Sequence, residues 1–301
     1  KDIKFSKNNI SIQSVNNLKN IIKNGWLTHG KYTDLFEQEF KKFVKSKYAV
    51  TVSSCTAGLH LACVAAGFKK GDEVIVPAMS HTASSHAVEY SGAKVVFVDI
   101  NLFSGNINLR ELKKKITNKT KGLILVHMIG LSCDMKNIVS LCKRKNIKII
   151  EDCAHALGTK FKNKHAGNFG LAASFSFYPT KQITTGEGGI VITNNKSIYK
   201  KIKTLKAFGI DKDIKNRKKP GHYDVKFLGY NYRMTDIQAA IGYDQIINYK
   251  KNLLTRKKLA KRYFKNLANN KKINIMPMDE NCSYFVFQIF IKNRDKFLKI
   301  L

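Results

Sequence analysis

The chain has 301 residues, 44% of them hydrophobic, and carries 54 Lys+Arg against 21 Asp+Glu for a formal charge of +33. That length can bury a sizeable core as one large domain or two, and no run of eighteen or more apolar residues suggests a membrane span. Such a charge ordinarily points to nucleic acid or an anionic surface, but here it is nearly all lysine, with seven arginines, spread along helices among abundant Asn and Ile; neither nucleic acid nor membrane is expected as a partner.

In chain order, apolar residues at helical spacing mark Val15 to Ile22 and Leu35 to Val44. Strand-like and helix-like segments then alternate from Tyr48 to about Ile192, which implies a mainly parallel sheet with helices on both faces. The first strand runs into Ser53-Ser54-Cys55-Thr56-Ala57-Gly58, small hydroxyl residues that open a helix. Backbone N–H groups at such a helix start, with the dipole behind them, suit a phosphate, and Thr56 and Ala57 are placed to supply it. The same residues also begin helices that bind nothing.

Asn146 to Ile150 is a short β-branched strand leading into Glu151-Asp152-Cys153-Ala154-His155. Ligands of open α/β sheets bind at the carboxyl ends of strands, so Asp152 is placed to face one, although an aspartate there is also an ordinary helix cap. Leu171 to Tyr178 reads as a buried strand and Gly189 to Thr193 as another, so Lys181 falls in the loop between two core strands, followed by a glycine-rich turn. A lysine against apolar walls loses solvation of its ammonium form, and the free amine becomes a nucleophile or Schiff-base partner. Most lysines in so basic a chain are surface groups; the surroundings single this one out. Paired with Asp152, it suits pyridoxal phosphate: the lysine anchors the aldehyde and the carboxylate keeps the ring nitrogen protonated. Ser176, on the strand before Lys181, adds a hydroxyl for the phosphate.

Further on, Lys212 to Lys219 is the densest basic run and reads as a solvated loop able to guide an anionic substrate. A long helix is expected over Ile237 to Leu267, leading to a smaller C-terminal region whose first strands are Ile273 to Met276 and Tyr284 to Ile291. Expected boundaries are 1–235 for a large cofactor-binding domain and 236–301 for the connecting helix and the start of the small one. The six cysteines lack C-x-x-C spacing and fall in core elements, so no metal site and no disulfide framework is expected. With no basic-then-apolar leader at the start, a reducing cytoplasm fits best.

These pieces and their order resemble the DegT/StrS family of sugar aminotransferases. The likeness also takes in Gly25-Trp26-Leu27-Thr28-His29-Gly30, Gly71 to Pro77, Val95 to Asp99, His127-Met128-Ile129-Gly130 and Gly229-Tyr230-Asn231-Tyr232-Arg233-Met234. It implies a pyridoxal-phosphate transferase of fold type I, with a seven-stranded, mainly parallel α/β sheet and a small C-terminal α+β domain that continues beyond Leu301. By the same resemblance Lys181 holds the cofactor and shuttles the proton, and Asp152 pairs with the pyridine nitrogen. His155 lies beside the ring oxygen, Thr56, Ala57 and Ser176 bind the phosphate, and Asn231 reaches the phosphate of a partner subunit's cofactor in an obligate homodimer. His81 stands where the family stacks an aromatic residue on the ring, Ser53 replaces a common asparagine, and Leu131-Ser132 replaces Gln-Pro.

The implied reaction moves an amino group from L-glutamate to a nucleotide-linked keto sugar. Related dehydratases carry histidine at the position of Lys181, so the lysine favours transfer. Another pyridoxal-phosphate activity on this fold, a sugar dehydratase or an amino-acid aminotransferase, is the second reading, and a non-catalytic regulator the third. Glu187, His29 and His86 are further candidates for touching substrate.

Overall fold

The computed structural model describes residues 6–8, 10–211, 219 and 221–300. Two helices, α1 (Ile12–Asn24) and α2 (Lys31–Val44), precede an alternation of β1 (Tyr48–Val52), α3 (Cys55–Ala66), β2 (Glu73–Pro77), α4 (Thr82–Glu89), β3 (Lys94–Val98), α5 (Leu109–Lys115), β4 (Thr120–Val126), α6 (Met135–Arg144) and β5 (Lys148–Asp152). A small hairpin, β6 (Lys160–Phe161) and β7 (Lys164–His165), leads to β8 (Ala172–Ser176), β9 (Gly189–Thr193), α7 (Lys196–Leu205) and the long α8 (Asp236–Leu267). The strand pair β10 (Ile273–Ile275) and β11 (Ile289–Ile291) and the short α9 (Arg294–Leu298) follow.

The sheet has seven strands in the order β1-β9-β8-β5-β4-β2-β3. Pairings from β8 through β5, β4 and β2 to β3 are parallel, and β9 runs antiparallel to both its neighbours. The expected mainly parallel α/β sheet is thus observed. Alternation along the strands divides the core. Ile124 and Val126 of β4 pack with α3, α4 and α7, while Leu123 and Leu125 pack with α5 and α6. Phe175 and Ile190 meet Phe36 and Phe40 of α2 and Ile246 and Tyr249 of α8. No helix among the described residues is long and apolar enough to cross a membrane.

Two sequence motifs acquire structural reasons here. The Gly25-to-Gly30 segment docks on the start of α8. Asp236, 3% exposed, accepts from the Tyr32 and Thr33 amides at 3.1 and 2.9 Å and so caps α2 from a distance of two hundred residues. A Cβ on Gly30 would lie 2.8 Å from Asp236 Oδ2, so glycine is needed for that approach. The His127-to-Gly130 segment is a tight turn with Ile129 at φ 53° and Gly130 at φ 87°, and it receives the C-terminal strand-like segment through Ser283 N–H to Gly130 O and Phe285 N–H to Ile129 O, both 3.1 Å.

The helices expected over Val15 to Ile22, Leu35 to Val44 and Ile237 to Leu267 are all present and somewhat longer. The strand expected over Tyr284 to Ile291 is shorter, beginning at Ile289, because Ser283 and Phe285 spend their amides on the 129–130 turn. Apart from Lys219, the basic run lies outside the described residues. All six cysteines are buried and free.

Candidate active site

The site forms where β5, β8 and the start of α3 end on one edge of the sheet. Asp152, 4% exposed, closes β5. Its Oδ1 accepts from the Ala154 amide at 3.0 Å and its Oδ2 from the Ser84 hydroxyl at 2.7 Å. Lys181 follows the β8 strand in a turn closed by its amide to the Tyr178 carbonyl at 2.9 Å. Burial lowers its pKa below the ordinary lysine value, and the charges of Cys55 and Asp152 oppose that shift without cancelling it. The free amine is therefore easier to reach than that of an exposed lysine. The Lys181 Nζ also lies 4.8 Å from the centroid of the Phe285 ring.

His155 stacks on that same Phe285 ring, with centroids 4.3 Å apart and planes 11° from parallel. Burial first, then the charges of Lys181 and His81, bring its pKa down to about 3, so the imidazole is neutral. Its Nδ1 is buried without a hydrogen-bond partner. Cys55, against the same lysine, is held protonated by burial and by Asp152, which leaves Lys181 as the nucleophile of the cluster.

The α3 start is pressed against β9: a Cβ on Gly189 would lie 2.6 Å from the Cys55 amide nitrogen. Ser176 pairs with Gly189 across β8 and β9, and its hydroxyl accepts from the Tyr178 amide at 3.4 Å. The Ala57 amide, expected to face a phosphate, donates here to the N-cap Ser54 Oγ at 3.0 Å. His81 is exposed at the α4 N-cap, its Nδ1 accepting from the Ala83 amide.

The structure therefore gathers Lys181, Asp152, His155 and His81, with Thr56, Ala57 and Ser176 beside them. Asn231 stands apart: it is exposed, and its backbone bridges to Ala207. Glu187 is exposed, with its carbonyl engaged by Thr185 and Gln238. His86 sits against Tyr90 on the outer side of α4. His29 lines a cavity of about 640 Å³ whose walls include Arg233 and Lys200 and neither Lys181 nor Asp152.

Sequence reasoning missed Ser84 and Phe285, and also the role of Glu151. That residue is fully buried and its carboxylate accepts from His127 Nε2 and the amides of Gly167, Phe169 and Gly170, all within 2.9 Å. The Cys133 amide approaches His127 Nδ1 at 3.3 Å; against burial, which lowers it, the contacts with Cys133 and Glu151 raise the His127 pKa to about 10. Ligand atoms of His127, Glu151 and Cys153 lie within 4.8 Å of one another, but with four donors already on Glu151 the cluster has no carboxylate lone pair directed at a cation.

The DegT/DnrJ/EryC1/StrS aminotransferase family model matches residues 8–301. The chain belongs to that family. It is 39% identical over 272 residues to GDP-perosamine synthase of Escherichia coli O157:H7, covering 90% of this chain and 73% of that one. Spr1654 from Streptococcus pneumoniae, solved in its PLP-form, superposes with a TM-score of 0.87 at 28% identity, over 97% of this chain and 79% of that one. The GDP-4-keto-6-deoxymannose-3-dehydratase ColD, solved as a mutant with bound GDP-perosamine, gives a TM-score of 0.92 at 28% identity over 99% and 83% of the two chains. Membership makes the protein a pyridoxal-phosphate enzyme and a sugar aminotransferase of the DegT type.

The residues present fit that cofactor. A desolvated amine can hold its aldehyde, Asp152 can pair with its ring nitrogen, and the buried Nδ1 of His155, without a hydrogen-bond partner among the described residues, can offer it a polar contact.

Proposed function

We propose that the protein transfers the amino group of L-glutamate to the keto carbon of a nucleotide-linked keto-deoxy sugar, as a homodimer working in the cytoplasm. The observation that carries this is the desolvated Lys181 amine set between Asp152, Cys55 and Phe285. Bound pyridoxal phosphate supplies an aldehyde that takes up the amino group in one half-reaction and releases it in the next, on a ring that withdraws electrons.

The chain's own residues do the rest. Lys181 Nζ would hold the aldehyde, and as a free amine it would take the proton from the donor's α-carbon and, in the second half-reaction, give a proton to the sugar carbon that receives nitrogen. Asp152 keeps the ring nitrogen protonated. Neutral His155 would face the ring oxygen, and Ser176 with the α3 start would hold the phosphate. Phe285 lies over Lys181 Nζ, part of the burial that lowers the lysine's pKa. Asn231, exposed on a single chain, completes the partner's phosphate site.

The likeness to GDP-perosamine synthase and to ColD makes a GDP-linked keto sugar the first acceptor to try. The likeness to ColD also keeps a sugar dehydratase as the second reading, and the lysine favours transfer.

The test is an absorption spectrum with pyridoxal phosphate before and after L-glutamate, followed by GDP-, dTDP- and UDP-linked keto sugars. We expect a yellow complex that glutamate bleaches and one of the sugars restores. Bleaching that no keto sugar reverses would sink the sugar acceptor, and a complex that glutamate leaves yellow would sink the donor.

A further inference from the structure

Asp152 is reached from a second direction that the reaction scheme leaves unexplained. Ser84, on the first turn of α4 and 0% exposed, directs its hydroxyl across to Asp152 Oδ2 at 2.7 Å rather than to a carbonyl of its own helix. Its oxygen lies a further 2.7 Å from Ser80 Oγ. The proton order along this chain follows from the chemistry of its end: an ionised carboxylate only accepts, so the single Ser84 proton goes to Asp152, and Ser80 must donate to Ser84. The result is a directed relay, Ser80 to Ser84 to Asp152, delivered by the same short segment that carries His81.

We infer that Ser84, backed by Ser80, is a positioning residue for the cofactor's ring nitrogen, acting through Asp152. With Oδ1 tied to the Ala154 amide and Oδ2 to Ser84, the carboxylate is fixed in rotation about its last bond, and its remaining lone pairs have a set direction. A donor polarised by another donor behind it strengthens that hold. This rests on Asp152 being the partner of the ring nitrogen. A serine that merely satisfied a buried carboxylate would affect folding stability and leave the ring nitrogen unchanged.

The experiment measures the dissociation constant of pyridoxal phosphate by absorbance titration, and the ¹⁵N shift of the cofactor labelled at its ring nitrogen. Both are taken on the full chain and on Ser84→Ala, Ser84→Thr, Ser80→Ala and Asp152→Ala. For Ser84→Ala we expect binding weakened about tenfold, the scale of one charge-assisted hydrogen bond, with the ¹⁵N shift moved toward the unprotonated value. Ser84→Thr, which keeps the hydroxyl, restores both. Ser80→Ala moves both in the same direction, by about two- to threefold in affinity. A Ser84→Ala protein with parental affinity and shift, beside an Asp152→Ala protein that has lost both, overturns the relay and leaves the site reading standing. If Asp152→Ala also leaves them unchanged, the site reading itself falls. Should Ser84→Ala fail to fold, a parental ¹⁵N shift in Ser80→Ala overturns the inference.

Discussion

Two carboxylates stand side by side at the end of β5, and the structure uses them in opposite ways. Glu151 turns to the side of the sheet where the 165–170 loop and His127 surround it, and it accepts four N–H donors. Burial pushes its pKa up, but the hydrogen bond and charge of His127, then the Gly170 and Gly167 amides, bring it below the ordinary value. Asp152 turns the other way and accepts two donors, leaving lone pairs for a ligand. Strand alternation alone puts neighbours on opposite faces; the number of donors each carboxylate already holds shows which one is structural and which is available for chemistry.

The largest expected effect falls on the Asp152 side. If Lys181 is the proton-transfer group proposed above, Lys181→Ala should lower the proposed glutamate-dependent transfer by about 10²–10⁴-fold from that loss alone. The cofactor-free variant should melt no lower than the parent. The folded lysine has a depressed pKa, so the unfolded chain binds its proton more readily, and at neutral pH the group works against folding. A variant that loses activity only in step with its melting temperature would mean that Lys181 is structural, and the contrast with Glu151 would collapse.

On the other side of the strand, Glu151→Ala leaves His127 and three amides without their acceptor. Breaking a buried network of this kind costs about 3–5 kcal/mol, so we expect a large drop in the urea midpoint, whereas Asp152→Ala, which orphans two donors rather than four, loses less stability and fails in cofactor binding. Equal stability losses for the two variants would refute the distinction.

Acid sharpens the same comparison. His155 and His165 are lowered to about 3 and about 4, in both cases chiefly by burial. Their depressed values mean that the unfolded chain takes up protons near its ordinary pKa of about 6.5 while the folded chain refuses them. The stability they allow is present above about 6.5 and is lost as pH falls toward 4, by about 1.4 kcal/mol per pH unit for each histidine. Urea midpoints at pH 7.5 and 4.5 should differ less in His155→Gln than in the parent, and an unchanged difference would show that His155 titrates normally in the folded protein.

Much of this was legible along the chain. The strand–helix alternation, the Asp152 and Lys181 pair and the helix start at Thr56 each carry a local pattern, because each is built by residues within one strand or turn. Ser84 does not, since a serine four places after Ser80 at a helix start looks like any capping residue; its donor crosses to another element. Phe285 was read as part of a strand, and only the long-range pairing of its segment with the 129–130 turn brings its ring to Lys181 and His155. Glu151 was legible as half of an acidic pair, but the four donors that make it structural come from residues outside β5, in the 165–170 loop and at His127.

The smallest expected effect tests that long-range pairing, with two glycines of similar backbone conformation. Gly186 has φ 79° and nothing within 4 Å of where a Cβ would stand, so Gly186→Ala should show backbone strain alone, about 1 kcal/mol. Gly130, at φ 87°, would place a Cβ 2.4 Å from Ser283 Oγ, 3.0 Å from the His155 carbonyl and 3.2 Å from the Phe285 amide. Gly130→Ala should therefore add a displacement of the 283–285 segment to the same strain, at a total of about 2–3 kcal/mol. Moving Phe285 away lets water reach Lys181, so the pH at which the amine captures pyridoxal phosphate should shift upward in Gly130→Ala and stay put in Gly186→Ala. Parallel behaviour of the two variants in that pH profile would mean that the segment packs on the turn without governing the lysine.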